Sequence, residues 1–179
     1  MVRLFRLRVM VTLSKNQAAT QAARLAQVRP ELAKAYDTAL ARWMGDRKLL
    51  LLGLPIVTEG YRSSAEQASL YAQGRETPYR IHQLRQAAGL PDISAAEAAL
   101  VVTHLAAGHS NHEHLPSWAI DVAHLQADGL VKWDAGSLLL FSRLMRAADK
   151  RITWGADWDR DGLTADEKFR DWPHFELVG

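Results

Sequence analysis

Apolar and polar positions change their period several times along the chain, and each change marks an element. After Ser14, a capping residue, Ala18, Ala22, Leu25 and Ala26 fall on one helical side and predict a helix to about Arg29. Pro30 suits the first turn of a second helix, ending near Met44. Leu49 to Val57 is continuously apolar and β-branched toward its end, which predicts a buried strand delivering Glu59 to Arg62 at its exit. Ser63 and Glu66 form a capping box, and Ala65, Ala68, Leu70 and Tyr71 carry a helix to Gly74, a natural C′ residue. Arg62 therefore belongs to a strand-to-helix junction.

Between Arg75 and Leu100, Gly89-Leu90-Pro91 is a break and Ser94 with Glu97 a second capping box. Two short helices follow from this, forming a rim over a cleft. Val101 to Leu105 and Trp118 to Ala123 are predicted strands flanking a polar, His-rich loop from Gly108 to Ser117. Asp134 can cap a helix bearing Leu138, Phe141, Leu144, Met145 and Ala148, with short strands near Ile152 to Trp154 and His174 to Leu177. Helices interspersed with short strands, without βαβ regularity, indicate an α+β fold.

Composition narrows the chemistry. At 179 residues, with 48% hydrophobic and 23% charged content, the chain fits one globular domain. It has no cysteine, so disulfides, thiolate-bound zinc and a thiol nucleophile are excluded, and any metal must rest on His, Asp and Glu. A formal net charge of +2 is too mild to indicate a nucleic-acid partner. It is compatible with weak attraction to an anionic polymer, but a solvated mixed-charge surface is the favoured reading.

The N-terminal M-V-R-L-F-R-L-R-V-M-V-T-L mimics a signal peptide. Arg3, Arg6 and Arg8 interrupt it, and the apolar run from Val9 is shorter than an h-region. No run approaches a membrane span. The expectation is synthesis in the cytoplasm without a signal peptide, and no membrane insertion.

Three islands read together as one catalytic site: E-G-Y-R-S-S-A-E-Q from Glu59 to Gln67, G-H-S-N-H-E-H with A-I-D from Gly108 to Asp121, and D-W-P-H-F-E from Asp171 to Glu176. They offer a guanidinium, a histidine near a carboxylate, and a histidine with a carboxylate three residues upstream. A hydrolytic zinc centre needs three nitrogen or oxygen ligands, an open position for water and a base beside it. Five of the seven histidines, His104, His109, His112, His114 and His124, are close in sequence, and not all can be ligands.

The strings G-Y-R-S-x-x-E-Q-x-x-L-Y-A-Q-G-R, V-T-x-x-x-x-G-x-S-x-H, A-I-D-V, W-G-A-D-W and D-W-P-H-F-E resemble the peptidoglycan zinc peptidases of the D-Ala-D-Ala carboxypeptidase and L-Ala-D-Glu endopeptidase family, many phage endolysins among them. The resemblance covers roughly Leu54 to Leu177. It implies a single α+β domain, hedgehog/DD-peptidase-like, with a small central antiparallel sheet flanked by helices. Residues 1–48 would be a helical N-terminal part and 49–179 the catalytic core.

Carried over residue by residue, the resemblance implies that zinc is held by His112, Asp121 and His174, that Asp171 is the catalytic base, and that Arg62 faces the substrate to stabilise an oxyanion. For Arg62 the plain alternative is an ion pair with Glu59 or Glu66. Gln67 and Ser110 are candidate substrate contacts, with capping or turn roles as the alternative. One departure stands out. The family spaces its first His and the Asp seven apart, whereas His112 and Asp121 are nine apart and His114 stands at seven. The Gly-x-Ser-x-His frame favours His112; counting back from Asp121 favours His114.

Glu176 could accept the second N–H of His174, or be an exposed strand residue. Trp154, Trp158 and Trp172 could line a cleft or pack a core. D-W-D-R-D-G-L-T-A-D-E, Asp157 to Glu167, offers Asp157, Asp159 and Asp161 before a Gly, as in a calcium loop, but Lys168 stands where a bidentate Glu belongs; an ordinary acidic turn is the alternative.

The expected protein is a monomeric, zinc-dependent peptidase acting on the peptidoglycan stem peptide in the wall or periplasm after release. An L-Ala-D-Glu endopeptidase is the leading reading, and a D-Ala-D-Ala carboxypeptidase or a non-catalytic zinc-binding wall-recognition module are the alternatives.

Overall fold

Two strands with strict face alternation organise the molecule, for which the computed structural model describes residues 11–178. β2 (Ala119–Leu125) turns Ile120, Val122 and His124 to one face and Asp121 to the other. β5 (His174–Leu177) does the same with Phe175 and Leu177 inward and His174 and Glu176 outward. Among the described residues the strands form one antiparallel sheet in the order β1 (Leu54–Glu59), β2, β5, β4 (Ile152–Trp154), with β3 (Val131–Lys132) paired to the far end of β2. This is the small antiparallel sheet of an α+β fold.

The inner face is covered by two helices with the expected periodicity. α2 (Pro30–Gly45) buries Leu32, Ala35, Tyr36, Ala39 and Trp43, and α7 (Ala135–Ala148) buries Leu138, Phe141 and Met145. Each large apolar side chain so buried contributes roughly 1.5–3 kcal/mol. The polar tips in this core are satisfied: Tyr36 donates to Pro55 O and Trp43 to Gly53 O, both at 2.9 Å. Asp134 caps α7 as expected, its carboxylate accepting from Ser137 N.

α1 (Lys15–Leu25) carries the expected Ser14 cap but stops four residues short of Arg29. The cause is long-range: Ser117 N donates to Gln27 O and Arg29 N to Ser117 O, so that segment is held by the His-rich loop. Ala18, Ala22 and Ala26 on the alanine side are exposed. Instead Gln21 accepts from Val57 N and Arg24 donates to Val57 O, so polar side chains close the free edge of β1.

Two predicted strand segments are absent. Leu49 to Leu52 enters α3 (Arg47–Leu50), capped by Asp46, and the turn after it; β1 starts only at Leu54. Val101 to Leu105 is irregular, its carbonyls taken by side chains: Arg75 donates to Thr103 O and Gln67 to Leu105 O. This segment, rather than α5 (Pro78–Ala87) and α6 (Ala95–Ala98), rims the cleft. The capping boxes at Ser63 and Ser94 both form, and Gly74 has φ +72° just beyond α4 (Ser64–Ala72). The apolar N-terminal run through Met10 lies outside the described residues; among the described residues no helix is long and apolar enough to cross a membrane.

Candidate metal centre

The outward face of β2 and β5 carries the site. Asp121 and His174 are register partners, and the loop before β2 brings in His112. Asp121 Oδ1 lies 3.4 Å from His112 Nε2 and 3.3 Å from His174 Nδ1, and the two ring nitrogens are 3.2 Å apart. The remaining ring nitrogens are both engaged. His112 Nδ1 faces Gly60 O at 2.7 Å and His174 Nε2 faces Glu176 Oε2 at 3.0 Å, while Asn111 donates to the same Glu176 oxygen. Each imidazole is thus oriented by a hydrogen-bond acceptor behind it, leaving one nitrogen for a ligand.

These residues fit a divalent ion. Asp121 Oδ1 is buried with no hydrogen-bond partner among the described residues, a costly arrangement for an anionic oxygen unless a cation faces it. The three donor atoms lie within 4.8 Å of one another, and two neutral imidazoles with one carboxylate suit zinc. Burial alone would raise the Asp121 carboxyl, but the two histidines hold it well below the usual carboxylate range. Burial would lower His174, yet the Asp121 and Glu176 carboxylates beside it push it up to about 10.

The loop that presents His112 is built around one acid. Ser110 caps a short 3₁₀ turn, Asn111–Glu113, and the Glu113 carboxylate accepts from Gly108 N at 2.9 Å and from Ser110 N at 3.1 Å. This is a third Ser-x-x-Glu box in the chain, and Glu113 was legible from that spacing although it was not singled out. Arg62 N donates to His112 O at 3.0 Å, tying the guanidinium-bearing junction to the ligand loop.

The cleft beside the triad encloses about 500 Å³ and is lined by Arg62, Ser110, Asp171, Trp158 and the Val102–Leu105 segment, among others. Asp171 sits on its wall, and its carboxylate makes no hydrogen bond among the described residues. Burial raises its pKa, the Asp121 charge adds to this, and His174 opposes it, giving a carboxylate poised closer to neutrality than usual. Arg62 Nη2 is 3.4 Å from Glu59 and 3.6 Å from Asp121, so the anticipated pair with Glu59 forms, and Glu66 instead caps α4.

Other expectations are relocated. His114 is exposed and stacked on Trp118 at 4.3 Å, outside the group formed by His112, Asp121 and His174. Gln67 is fully buried and does not line the cleft, so it has no surface to offer a substrate; it holds Arg62 instead. Ser110 does line the cleft, while its hydroxyl accepts from His112 N. Trp154 is core, stacked with Phe175, and Trp172 packs against it; Trp158 alone of the three reaches the cleft. His104 meets Phe169 across the rim at 4.9 Å, and His124 is buried beneath the sheet against Trp43.

In the acidic loop, Asp157 is buried and paired with Arg146, which also donates to Arg160 O. Glu167 accepts from Trp158 N, and Asp161 from Leu163 N. Asp157, Asp159 and Glu167 come within ligand reach of one another, as do Asp159, Asp161 and Asp166, but Arg146 already supplies a cation to the first of them.

Fold and site together define a small α+β protein with a His-Asp-His cluster in its cleft that could hold a metal ion. No family model matches the chain. It is 28% identical over 130 residues to the peptidoglycan L-alanyl-D-glutamate endopeptidase CwlK of Bacillus subtilis, a match covering 69% of this chain and 60% of that protein's length. It shares its fold with the L-Ala D-Glu endopeptidase ChiX of Serratia marcescens, with a TM-score of 0.51 and 21% identity over 89% of this chain and 87% of that one. The likeness to CwlK agrees with the resemblance read in the sequence, and the likeness to ChiX bears out the α+β fold.

Proposed function

We propose that the protein is a zinc-dependent peptidase of the peptidoglycan stem peptide, an L-alanyl-D-glutamate endopeptidase of endolysin type that acts on the cell wall after release. The observation that carries this is the convergence of His112 and His174 on Asp121 Oδ1, with the unpartnered Asp171 carboxylate on the same cleft wall. A zinc ion held by the triad would supply Lewis acidity for carbonyl polarisation and water activation.

The chain's own residues do the rest. Asp171, its proton affinity raised by burial, takes a proton from the attacking water and hands it to the leaving amine. Arg62 cannot lose its charge and stabilises the negative charge that grows on the scissile carbonyl oxygen. The cleft between the Val102–Leu105 segment and the Trp158–Phe169 side receives the extended peptide. A wall-binding module without catalysis would have no use for a free carboxylate beside the triad. For the acidic loop, the pairing of Asp157 with Arg146 favours an ordinary structural turn over a calcium site.

Digestion of muropeptides by zinc-loaded protein, followed by mass spectrometry, tests the reading. Peptides that begin at D-Glu are expected; release of terminal alanine alone would make it a carboxypeptidase instead. Asp171→Asn should retain zinc and lose about 10²- to 10⁴-fold in kcat. A zinc-loaded protein that leaves every stem peptide intact would remove the proposal.

A further inference from the structure

Gln67 lies in the first turns of α4 with no exposed surface, and its amide bridges two parts of the site. Its Oε1 accepts from Arg62 Nη1 at 2.8 Å, and its Nε2 donates to Leu105 O at 2.6 Å and approaches Thr103 Oγ1 at 3.4 Å. We infer that Gln67 is a positioning residue that sets the Arg62 guanidinium and couples it to the Thr103–Leu105 wall of the cleft. Its importance for catalysis rests on the function proposed above; the coupling itself does not.

Contact lengths show which partner holds the guanidinium. The carboxylates of Glu59 and Asp121 stand at 3.4 and 3.6 Å, longer than charge-assisted hydrogen bonds normally run, and Arg62 Nε is buried with no partner among the described residues. The neutral amide therefore makes the best-formed side-chain bond to Arg62. Coulomb attraction to the two acids is weakly directional, whereas this hydrogen bond selects one rotamer.

The chemistry of the bridge is specific to an amide. Arg62 can only donate and Leu105 O can only accept, so the group between them must accept on one side and donate on the other. This also assigns the orientation of the amide without ambiguity. A glutamate would keep the bond to Arg62 but set an anion against a carbonyl, and an apolar side chain would serve neither.

The wall itself depends on such anchors. Val101 to Leu105 has no strand partner; Thr103 O is held by Arg75 and Leu105 O by Gln67. The same segment lines the cleft, so a peptide that pushes on the wall moves the acceptor of Gln67, and with it the group that orients Arg62. Occupancy of the cleft is thereby linked to the aim of the cation.

The test uses Gln67→Met, which keeps length and volume without hydrogen bonds, and Gln67→Glu. Zinc content, steady-state kinetics on a muropeptide and the ¹⁵N–¹H guanidinium signals of Arg62 are measured for each. In the wild type, restricted rotation should leave the Arg62 Nη protons resolved. Gln67→Met should bind zinc normally, average those signals and lose about 10- to 100-fold in kcat. In an Arg62→Lys background the same change should have little further effect.

Gln67→Glu should keep the signals resolved and recover most of kcat, with KM raised because the wall is released. Resolved Arg62 signals in Gln67→Met, averaged signals in Gln67→Glu, or an equal loss of kcat with Lys at position 62 would each overturn the inference. If zinc-loaded wild type cleaves nothing, the proposed function falls, and the guanidinium spectra still decide whether Gln67 sets Arg62.

Discussion

Asp121 and His174 face each other directly across β2 and β5, so two of the three candidate ligands, 53 positions apart in the chain, are set by one rung of a β-ladder. The pairing requires no side-chain adjustment, because directly opposed residues of antiparallel strands point to the same face. A register shift between Val57 and Glu59 on the neighbouring strand flanks the same rung, where Glu59 is the register partner of Asp121 and stands 3.4 Å from Arg62. The third ligand, His112, comes from a loop and needs separate anchoring.

Metal content should follow this geometry. His112→Ala, Asp121→Ala and His174→Ala are each expected to weaken zinc binding by at least about 100-fold, whereas His114→Ala leaves it unchanged, because the imidazole of His114 is stacked on Trp118. Zinc titration of the four proteins measures this. Loss of zinc in His114→Ala with retention in His112→Ala would reverse the assignment.

Glu113 should act on metal binding without touching the metal. Its carboxylate gathers the amides of Gly108 and Ser110. Glu113→Gln cannot accept from them with the same charge and is expected to cost about 1–2 kcal/mol of stability, with a weaker zinc affinity from a looser His112 loop. Denaturant unfolding and zinc titration, run side by side, check both effects; unchanged stability would mean the loop is held by other contacts.

Gly155 is a close-approach glycine. A Cβ there would overlap Asp171 O and stand 3.0 Å from both Asp171 Cβ and His174 Cβ, while Gly155 N donates to His174 O and Asp171 N to Gly155 O. Gly155→Ala must push the candidate base and a candidate ligand outward together. Expected are a loss of about 1–3 kcal/mol in stability and lowered zinc affinity, read by thermal unfolding and metal titration. An alanine protein with wild-type values on both would show that the backbone around Gly155 can yield.

His124 makes the fold sensitive to acid. It is fully buried between Trp43 and Phe141, with neither ring nitrogen hydrogen-bonded among the described residues, and burial lowers its pKa to about 4 against 6.5 in the unfolded chain. A depressed folded value means the unfolded chain binds more protons between these limits. The stabilisation is therefore complete above about 6.5 and declines as the pH falls toward 4. Between pH 7.5 and 5 this group should account for about 2 kcal/mol of lost stability. Urea midpoints at both pH values for wild type and His124→Phe test it; an undiminished pH slope in the variant would point to other groups.

Much of this molecule could be read from its order of residues alone. The Ser63–Glu66 and Ser94–Glu97 boxes, the Pro30 start of α2 and the Asp134 cap of α7 are local arrangements, decided within a turn of the backbone that makes them. The motif strings pointed to His112, Asp121, His174, Asp171 and Arg62 because the chemistry of a metal hydrolase restricts residue type at each position. Tertiary contacts decided the rest. The early end of α1 follows from Ser117 binding the backbone at Gln27 and Arg29, and the missing strand at Val101 follows from Arg75 and Gln67 taking its carbonyls. The choice between His112 and His114, and the change of Gln67 from surface contact to buried support, depended on which side chains the fold brings together from distant segments. Such choices lie beyond local propensity, because their hydrogen bonds and burial exist only once the sheet and its loops have closed.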